Sequence, residues 1–436
     1  MSFEIGGIGK NIPAQMTAEL GTISIFPSEP PADVICDPQG GIFVGFTKLW
    51  NRPFFWNPRV LVNPHMIVFG TSGSGKTTFI RTILSRAQAF LNPPPNAIII
   101  DAVGEYVKYV EAAGGVVFHI GKKDSLNPLD APGTTLEAKM VQAVSLAKYS
   151  GFVEKDAPRQ LAMFRRALQR AYEKKGIKTS EDLRDPTKKP PTLKDVMEVL
   201  EEIKDSDASA ELKRTAEAIY ERVWGVVSTS PALSRESSVP LEKLFHMGLV
   251  CLNLSPIPTE EGKTSAAILV LQYLVNWMRQ QGEVKPGHLR LIIVLDEAHR
   301  VFAFDVKKEG EEHPLAIIFR EGRKYGVAAI LSSQLVKDFG YDAIANAATI
   351  VVMKVHRADV ENVIHALSLP RHIVEEAANQ PKFNAMFLMN FGDIQWSAPI
   401  PVRVSPYFVR EDISVQVVQT HNMAREFLAS LSRSVA

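Results

Sequence analysis

A set of short apolar runs constrains this chain more than any other feature of its sequence. They are HMIVF (65–69), AIIID (97–101), GVVFHI (115–120), LVCLNL (249–254), LIIVLD (291–296), VAAILSS (327–333) and TIVVMKV (349–355). Each is of strand length, nearly unbroken in its hydrophobicity and bounded by turn residues. A strand with one wet face alternates apolar and polar residues. A strand buried on both faces does not, and that happens chiefly in mainly parallel sheets covered by helices. Helical patterns separate several of the runs. Thr77 to Leu91 gathers Ile80, Ile83, Leu84, Ala87 and Leu91 on one face, and Gly262 to Gln281 does the same with Ala267, Leu271, Leu274 and Met278. The expected class is α/β.

The stretch 125–245 breaks this rhythm. It holds no strand pattern, and TLEAKMVQAVSLAKYSGF, APRQLAMFRRALQRAYEKK, TLKDVMEVLEEIK and AELKRTAEAIYERVW all read as amphipathic helices, with Thr192 and Asp195 at capping-box spacing. The expected division is therefore an α/β core of 61–124 and 246–405 and an all-α insertion of 125–245. A β-rich, Pro- and Gly-rich N-terminal arm of 1–60 and a tail of 406–436, with a short helix around 422–431, complete it. AMFLMNF (385–391) and IQWSAPIPVRV (394–404) return the pattern to β.

Bulk composition excludes several classes. Lys+Arg total 49 against Asp+Glu 48, so the chain is not a basic protein that coats nucleic acid. DNA contact would have to come from local positive loops. Cys36 and Cys251 stand far apart in sequence and suggest neither a disulfide framework nor a metal cluster, and the ten histidines show no ligand spacing. No apolar run approaches the roughly 18 residues of a membrane span, and the first residues do not read as a signal peptide. A cytoplasmic location is expected.

The motif that carries chemistry comes directly after the first strand run. Gly70, Thr71, Ser72, Gly73, Ser74, Gly75, Lys76 and Thr77 fit G-x-x-x-x-G-K-[ST] at every fixed position, with Thr78 continuing into the helix. Such glycines let backbone N–H groups curl around phosphate oxygens. Lys76 brings an ammonium to the β- and γ-phosphates, Thr77 a hydroxyl suited to Mg²⁺, and the helix its positive end. ATP with Mg²⁺ is the expected cofactor pair. The segment EGKTS (261–265) imitates the end of this motif, but it has Ile257 where a glycine is needed and reads as a helix start.

Two runs end in Asp. Only Asp296 is followed directly by Glu, which suits Asp296 to the metal and Glu297 to the attacking water. Asp101, with Glu105 in IIIDAVGEY, either lines the same site or caps a turn. His299 stands close enough after the acidic pair to line the site, and a structural role fits it equally.

Asp296 to His299 spells D-E-A-H, the tetrapeptide that names one class of helicases. Those enzymes carry a second RecA-like domain after it. Here an all-α stretch separates Lys76 from Asp296, and the residues after His299 hold no second P-loop-like core. The sequence around and beyond Glu297 resembles a different lineage. LDEAHRVF, then FREGRKYGVAAILSSQ (319–334), is similar to the HerA/FtsK superfamily of P-loop motors, nearest to HerA-type DNA translocases and the conjugation ATPases of type IV secretion. IIIDAVGEY, LNPLD (126–130) and TIVVMKV with HRADVENVIHAL agree, so the resemblance covers roughly 60–405.

The resemblance implies a RecA-like P-loop ATPase core that assembles as a homo-hexameric ring and moves DNA, double-stranded by preference, through a central pore. It assigns Arg323 of G-R-K as an arginine finger offered to the neighbouring subunit, with Arg320 as the alternative, and Gln334 as the γ-phosphate sensor. In a ring, Lys122, Lys123, Lys307 and Lys308 would be repeated around the pore. A membrane-bound DNA-transfer channel, with docking at the cytoplasmic face, and a nuclease are both open as partners. A type IV secretion-type assembly ATPase acting on protein, and a helicase, are the rival readings. The chain departs from the family in having Ala102-Val103 where Pro-His is common, and only residues 1–69 before Gly70.

Overall fold

The computed structural model describes residues 41–406 apart from 50, 131–132, 155–156, 186, 286, 301–312, 340 and 393–395. The expected tail helix, and Lys307 and Lys308, lie outside the described residues. In chain order the elements are β1 (Ile42–Thr47), β2 (Pro53–Trp56), β3 (Met66–Phe69), α1 (Lys76–Phe90), β4 (Asn96–Asp101), α2 (Val107–Ala112), β5 (Val116–His119), α3 (Leu136–Tyr149), α4 (Pro158–Lys174), α5 (Ser180–Arg184), α6 (Leu193–Asp205) and α7 (Ala210–Thr229). Next come β6 (Leu249–Asn253), α8 (Glu260–Gln280), β7 (Leu291–Asp296), α9 (Pro314–Tyr325), β8 (Val327–Ser333), α10 (Tyr341–Asn346), β9 (Thr349–Val352), α11 (Val360–Leu367), α12 (Arg371–Asn379), β10 (Asn384–Met389) and β11 (Ile400–Val404).

One sheet of eleven strands runs in the order β2-β1-β11-β10-β9-β3-β8-β7-β4-β6-β5. From β9 to β5 every neighbouring pair is parallel. From β2 to β9 every pair is antiparallel. The continuous apolar runs are explained by their surroundings: β3, β6, β7, β8 and β9 are buried at every residue. β5, at the sheet edge, is only half-buried. α1 packs its Phe79, Ile80, Ile83 and Leu84 on one face of the sheet, beside residues of β1, β2 and β11. The buried Arg86 of α1 fastens this corner, donating to the carbonyls of Phe43 at 2.7 Å and Ser405 at 3.1 Å.

On the other face lies α8. Thr259 caps it by accepting from the Gly262 N–H at 3.2 Å, so EGKTS is a helix start. Gly262 has to be small, since a Cβ there would come within 2.7 Å of Ile257 and Ser230 side-chain atoms. α8 buries residues nearly all round because it is sandwiched between the sheet and α3 to α7, which share one apolar core with it. Each Leu or Ile so buried contributes about 1.5–3 kcal/mol. No strand occurs among the described residues of 125–245. Asp195 accepts from the Thr192 N–H at 2.7 Å at the start of α6, as the capping spacing predicts.

α3 meets α8 through Gln142, which bonds Asn276 at 2.8 Å and accepts from Gln272 at 3.0 Å. At this joint Lys139 is completely buried. Its ammonium has no hydrogen-bond partner and lies 5.4 Å from the Tyr273 ring centroid. Burial pushes its pKa down to about 7, with Asp130 pulling the other way. No helix among the described residues is long and apolar enough to cross a membrane.

Candidate active site

In an open parallel sheet, ligands bind beyond the carboxyl ends of the strands. Here those ends carry Phe69, Asp101, Asn253, Asp296 and Ser333, and pairing sets Asp101 directly between Asp296 and Asn253. The loop after β3 turns through Gly73 at φ 76° and Gly75 at φ 108°. Both values lie in the region that favours glycine. Gly75 is restricted twice, because a Cβ would also sit 2.8 Å from the Phe383 ring. The loop is pinned from the C-terminal side: Thr71 N–H donates to Lys354 O at 2.7 Å, and Phe383 N–H to Ser74 O at 3.2 Å. Lys76 opens α1, and its ammonium donates to Gly70 O at 2.8 Å. Ser74 is buried with an unpartnered hydroxyl inside the loop.

Thr77 extends its hydroxyl toward two acids. It donates to Glu105 at 2.8 Å and lies 3.5 Å from Asp296 Oδ2. Asp296 is buried and is held by the Ser332 hydroxyl and the Glu297 N–H, the latter at 3.0 Å. These are hard oxygen donors of the kind Mg²⁺ prefers. No group of three or more His, Cys, Asp or Glu that could hold a metal alone occurs among the described residues. The set therefore fits a cation that brings phosphate oxygens with it. Tyr106 is fully buried beside the acids, and burial and then Asp296 push its phenol well above the ordinary value.

Glu297 has a left-handed backbone, φ 49°, which is strained for a residue other than glycine and typical of functional positions. Gln334, just past β8, donates its amide to both Glu297 oxygens at 3.3 and 3.4 Å. His299 Nδ1 lies 3.3 Å from Glu297 and 2.9 Å from the Ser333 hydroxyl, which in turn donates to Asp338. Glu297 is thus held from two sides on the strand-end platform next to Thr77. A carboxylate so placed can orient a water and accept its proton.

The structure resolves the choice at Asp101. Its carboxylate accepts the N–H groups of Val103, Gly104 and Tyr106 at 3.1, 2.7 and 2.8 Å. It caps the turn, and burial raises its pKa despite these bonds. Glu105, at the tip of that turn, is the one that reaches Thr77. Sequence reading missed Ser332 and Ser333. Their signal was two hydroxyls closing an otherwise apolar strand beside the D-E strand.

Four expected residues stand elsewhere. α9 runs antiparallel to β8, so Arg323 and Lys324 in its last turn lie beside the start of β8. β8 is parallel to β3, which puts them at the edge opposite the P-loop, about 20 Å away at ~3.3 Å per residue. Arg323 is exposed and has no ion pair among the described residues. It shares a depression with Arg59 and His288. Arg320 is exposed and bonds Glu321 at 3.1 Å. Lys122 and Lys123 are exposed in the turn after edge strand β5, remote from the P-loop across four intervening strands of the sheet.

The family model described as "Helicase HerA, central domain" matches residues 52–272. The DNA import protein CedB of Sulfolobus acidocaldarius is 21% identical over 328 residues, 74% of this chain, which spans about half (49%) of CedB's length. VirB4 of Thermoanaerobacter pseudethanolicus is 17% identical with a TM-score of 0.69, over 84% of this chain and 97% of that one. The bacterial conjugative coupling protein TrwB gives 13% and 0.59, over 88% and 93%. TrwB in complex with ADP and Mg²⁺ gives 16% and 0.54, over 80% and 87%.

Proposed function

From the premise that this chain belongs to the HerA central-domain family, and is a P-loop ATPase of the HerA/FtsK type, we propose that it hydrolyses ATP with Mg²⁺ and uses the energy to move DNA through a homo-hexameric ring. The observation that carries the reading is Glu297, gripped by Gln334 and His299 at the same strand ends as Lys76, Thr77 and Asp296.

Gly70 to Thr78 cradle the triphosphate, and Lys76 exchanges the Gly70 carbonyl for phosphate oxygens. Thr77 and Asp296 would hold the cation, which would supply charge to offset that developing on the phosphates. Glu297 orients the attacking water. Gln334, bonded to Glu297, senses the γ-phosphate and couples its loss to β8. Arg323, at the opposite ends of the strands, cannot reach its own chain's phosphate, so it serves a neighbour's, which makes the site complete only in an oligomer. An arginine supplied in this way is worth about 10³-fold or more in rate. Lys122 and Lys123, repeated around a ring, supply sequence-independent phosphate contacts. The names of CedB and of TrwB, a DNA import protein and a conjugative coupling protein, support DNA transfer as the setting, with a membrane channel as the partner.

The test is the steady-state ATPase rate with and without double-stranded DNA, for wild type, Glu297→Gln and mixtures of the two. Strong stimulation by DNA, with mixtures losing activity faster than in proportion to the mutant fraction, is expected. A rate indifferent to DNA that falls in simple proportion would refute the ring motor and direct the search to a protein substrate.

A further inference from the structure

The turn at the end of β4 is built with more constraint than a connection needs. The Asp101 carboxylate accepts from three backbone N–H groups of residues 103–106, with the buried Cys251 thiol 3.9 Å from Oδ2 as well. The Arg81 guanidinium of α1 donates to the carbonyl of Glu105 itself. Gly104 takes φ 90°, and a Cβ there would come 2.9 Å from the Ser255 hydroxyl. The effect of all this is to hold one exposed side chain, Glu105, with its carboxylate 2.8 Å from the Thr77 hydroxyl.

That bond has a direction with chemical consequences. A hydroxyl has one proton and two lone pairs. Of its two carboxylate acceptors Glu105 is the nearer, at 2.8 Å against 3.5 Å for Asp296, and with the proton given to Glu105 the lone pairs are left for a cation on the Asp296 side. Donating to a carboxylate also makes the oxygen a better electron donor, in the way outer carboxylates raise the basicity of metal-binding groups. The negative charge of Glu105 adds attraction for a cation at the same place.

We propose that Glu105 is a positioning residue for the metal of the nucleotide site: it orients the Thr77 hydroxyl and adds charge behind it. The inference rests on the reading of Lys76, Thr77 and Asp296 as a nucleotide–metal site. It predicts that Glu105 matters to metal affinity and not to the nucleotide's grip on the loop.

The experiment measures Mn²⁺ binding to the ADP complex by electron paramagnetic resonance. ADP affinity in EDTA and the ligand-free melting temperature are followed alongside. The variants are Glu105→Gln, Glu105→Ala and Thr77→Ala. Glu105→Gln keeps an acceptor for Thr77 and loses the charge; Glu105→Ala loses both. Mn²⁺ affinity is expected to fall about 10-fold or more in Glu105→Ala and by less in Glu105→Gln, with metal-free ADP binding unchanged. Unchanged Mn²⁺ affinity overturns the proposal. So does an equal loss of metal-free ADP binding, which would make Glu105 only a support of the turn, and so does tighter Mn²⁺, which would make it a competitor for the hydroxyl. If Glu105→Ala does not fold, Glu105→Gln decides alone, by a weakened or an unchanged Mn²⁺ affinity. Metal binding that survives Thr77→Ala would instead refute the site reading beneath the proposal.

Discussion

Replacing Lys139 by methionine should stabilise this protein, and by an amount that depends on pH. The ammonium lies wholly inside the joint of α3 and α8 with no hydrogen-bond partner, and burial lowers its pKa from the ordinary 10.5 to about 7. The unfolded chain holds the proton up to pH 10.5, whereas the folded chain releases it near 7. Stability therefore rises with pH between those values and is lowest below 7. The full cost below pH 7 is about 5 kcal/mol at 1.36 kcal/mol per tenfold, and at pH 9.5 about 1–2 kcal/mol remains. Methionine has similar reach and nothing to desolvate, but forfeits the cation's contact with Tyr273, about 1 kcal/mol. Lys139→Met is then expected to gain about 3–4 kcal/mol at pH 6 and about 1–2 kcal/mol at pH 9.5, where Lys139 of the folded chain is already neutral and has no cation contact to lose. Melting of both proteins at the two pH values reads this out, as a rise of several degrees at pH 6 and a clearly smaller one at pH 9.5. A rise of the same size at both would refute the reasoning, since it would come from packing alone. A fall at pH 6 would mean that Asp130 compensates the charge fully.

The same structure carries other expected outcomes. Gly75→Ala, with φ 108° and the Phe383 ring in the way, should abolish binding of a fluorescent ATP analogue and cost about 1–3 kcal/mol of stability. Glu297→Gln should keep nucleotide binding and lose hydrolysis by about 10²-fold or more, measured by phosphate release. Burial takes His65 down to about 3 and His313 to about 4. As pH falls from 6.5 to 4 the unfolded chain gains protons that the folded one refuses, costing about 2–3 kcal/mol for each. His313→Asn, which keeps a cap for α9, should remove about half of that acid sensitivity in a melting series. Lys122→Glu with Lys123→Glu should weaken DNA binding on all sequences alike and flatten its dependence on salt.

How much of the fold and site is legible in the sequence varies with how local the cause is. LIIVLD and VAAILSS match β7 and β8 to the residue, because strands buried on both faces announce themselves by composition. The P-loop, the cap at Thr192 and the helix start at EGKTS are also legible, since their chemistry spans a few residues. Asp101 and Glu105 are not separable, because which acid turns inward depends on the three-fold capping of one carboxylate. Lys139 in TLEAKMVQAV looks like a solvated lysine on an amphipathic helix. Only the packing of α3 on α8 buries it. The same holds for the distance of Arg323 from its own P-loop, which arises because α9 runs back along β8 and leaves Arg323 at the opposite ends of the strands.

α9, the turn at Gly326 and β8 form one stiff hairpin, with Arg323 at one end and, beyond Ser333, Gln334 at the other. In a ring assembled as proposed, each subunit would carry its own detector and its neighbour's trigger on the same lever. A signal would then pass from a subunit to the neighbour its Arg323 serves and would have no equivalent route back. The order of firing would be directional by construction, and such a motor would need no external clock to know which subunit comes next.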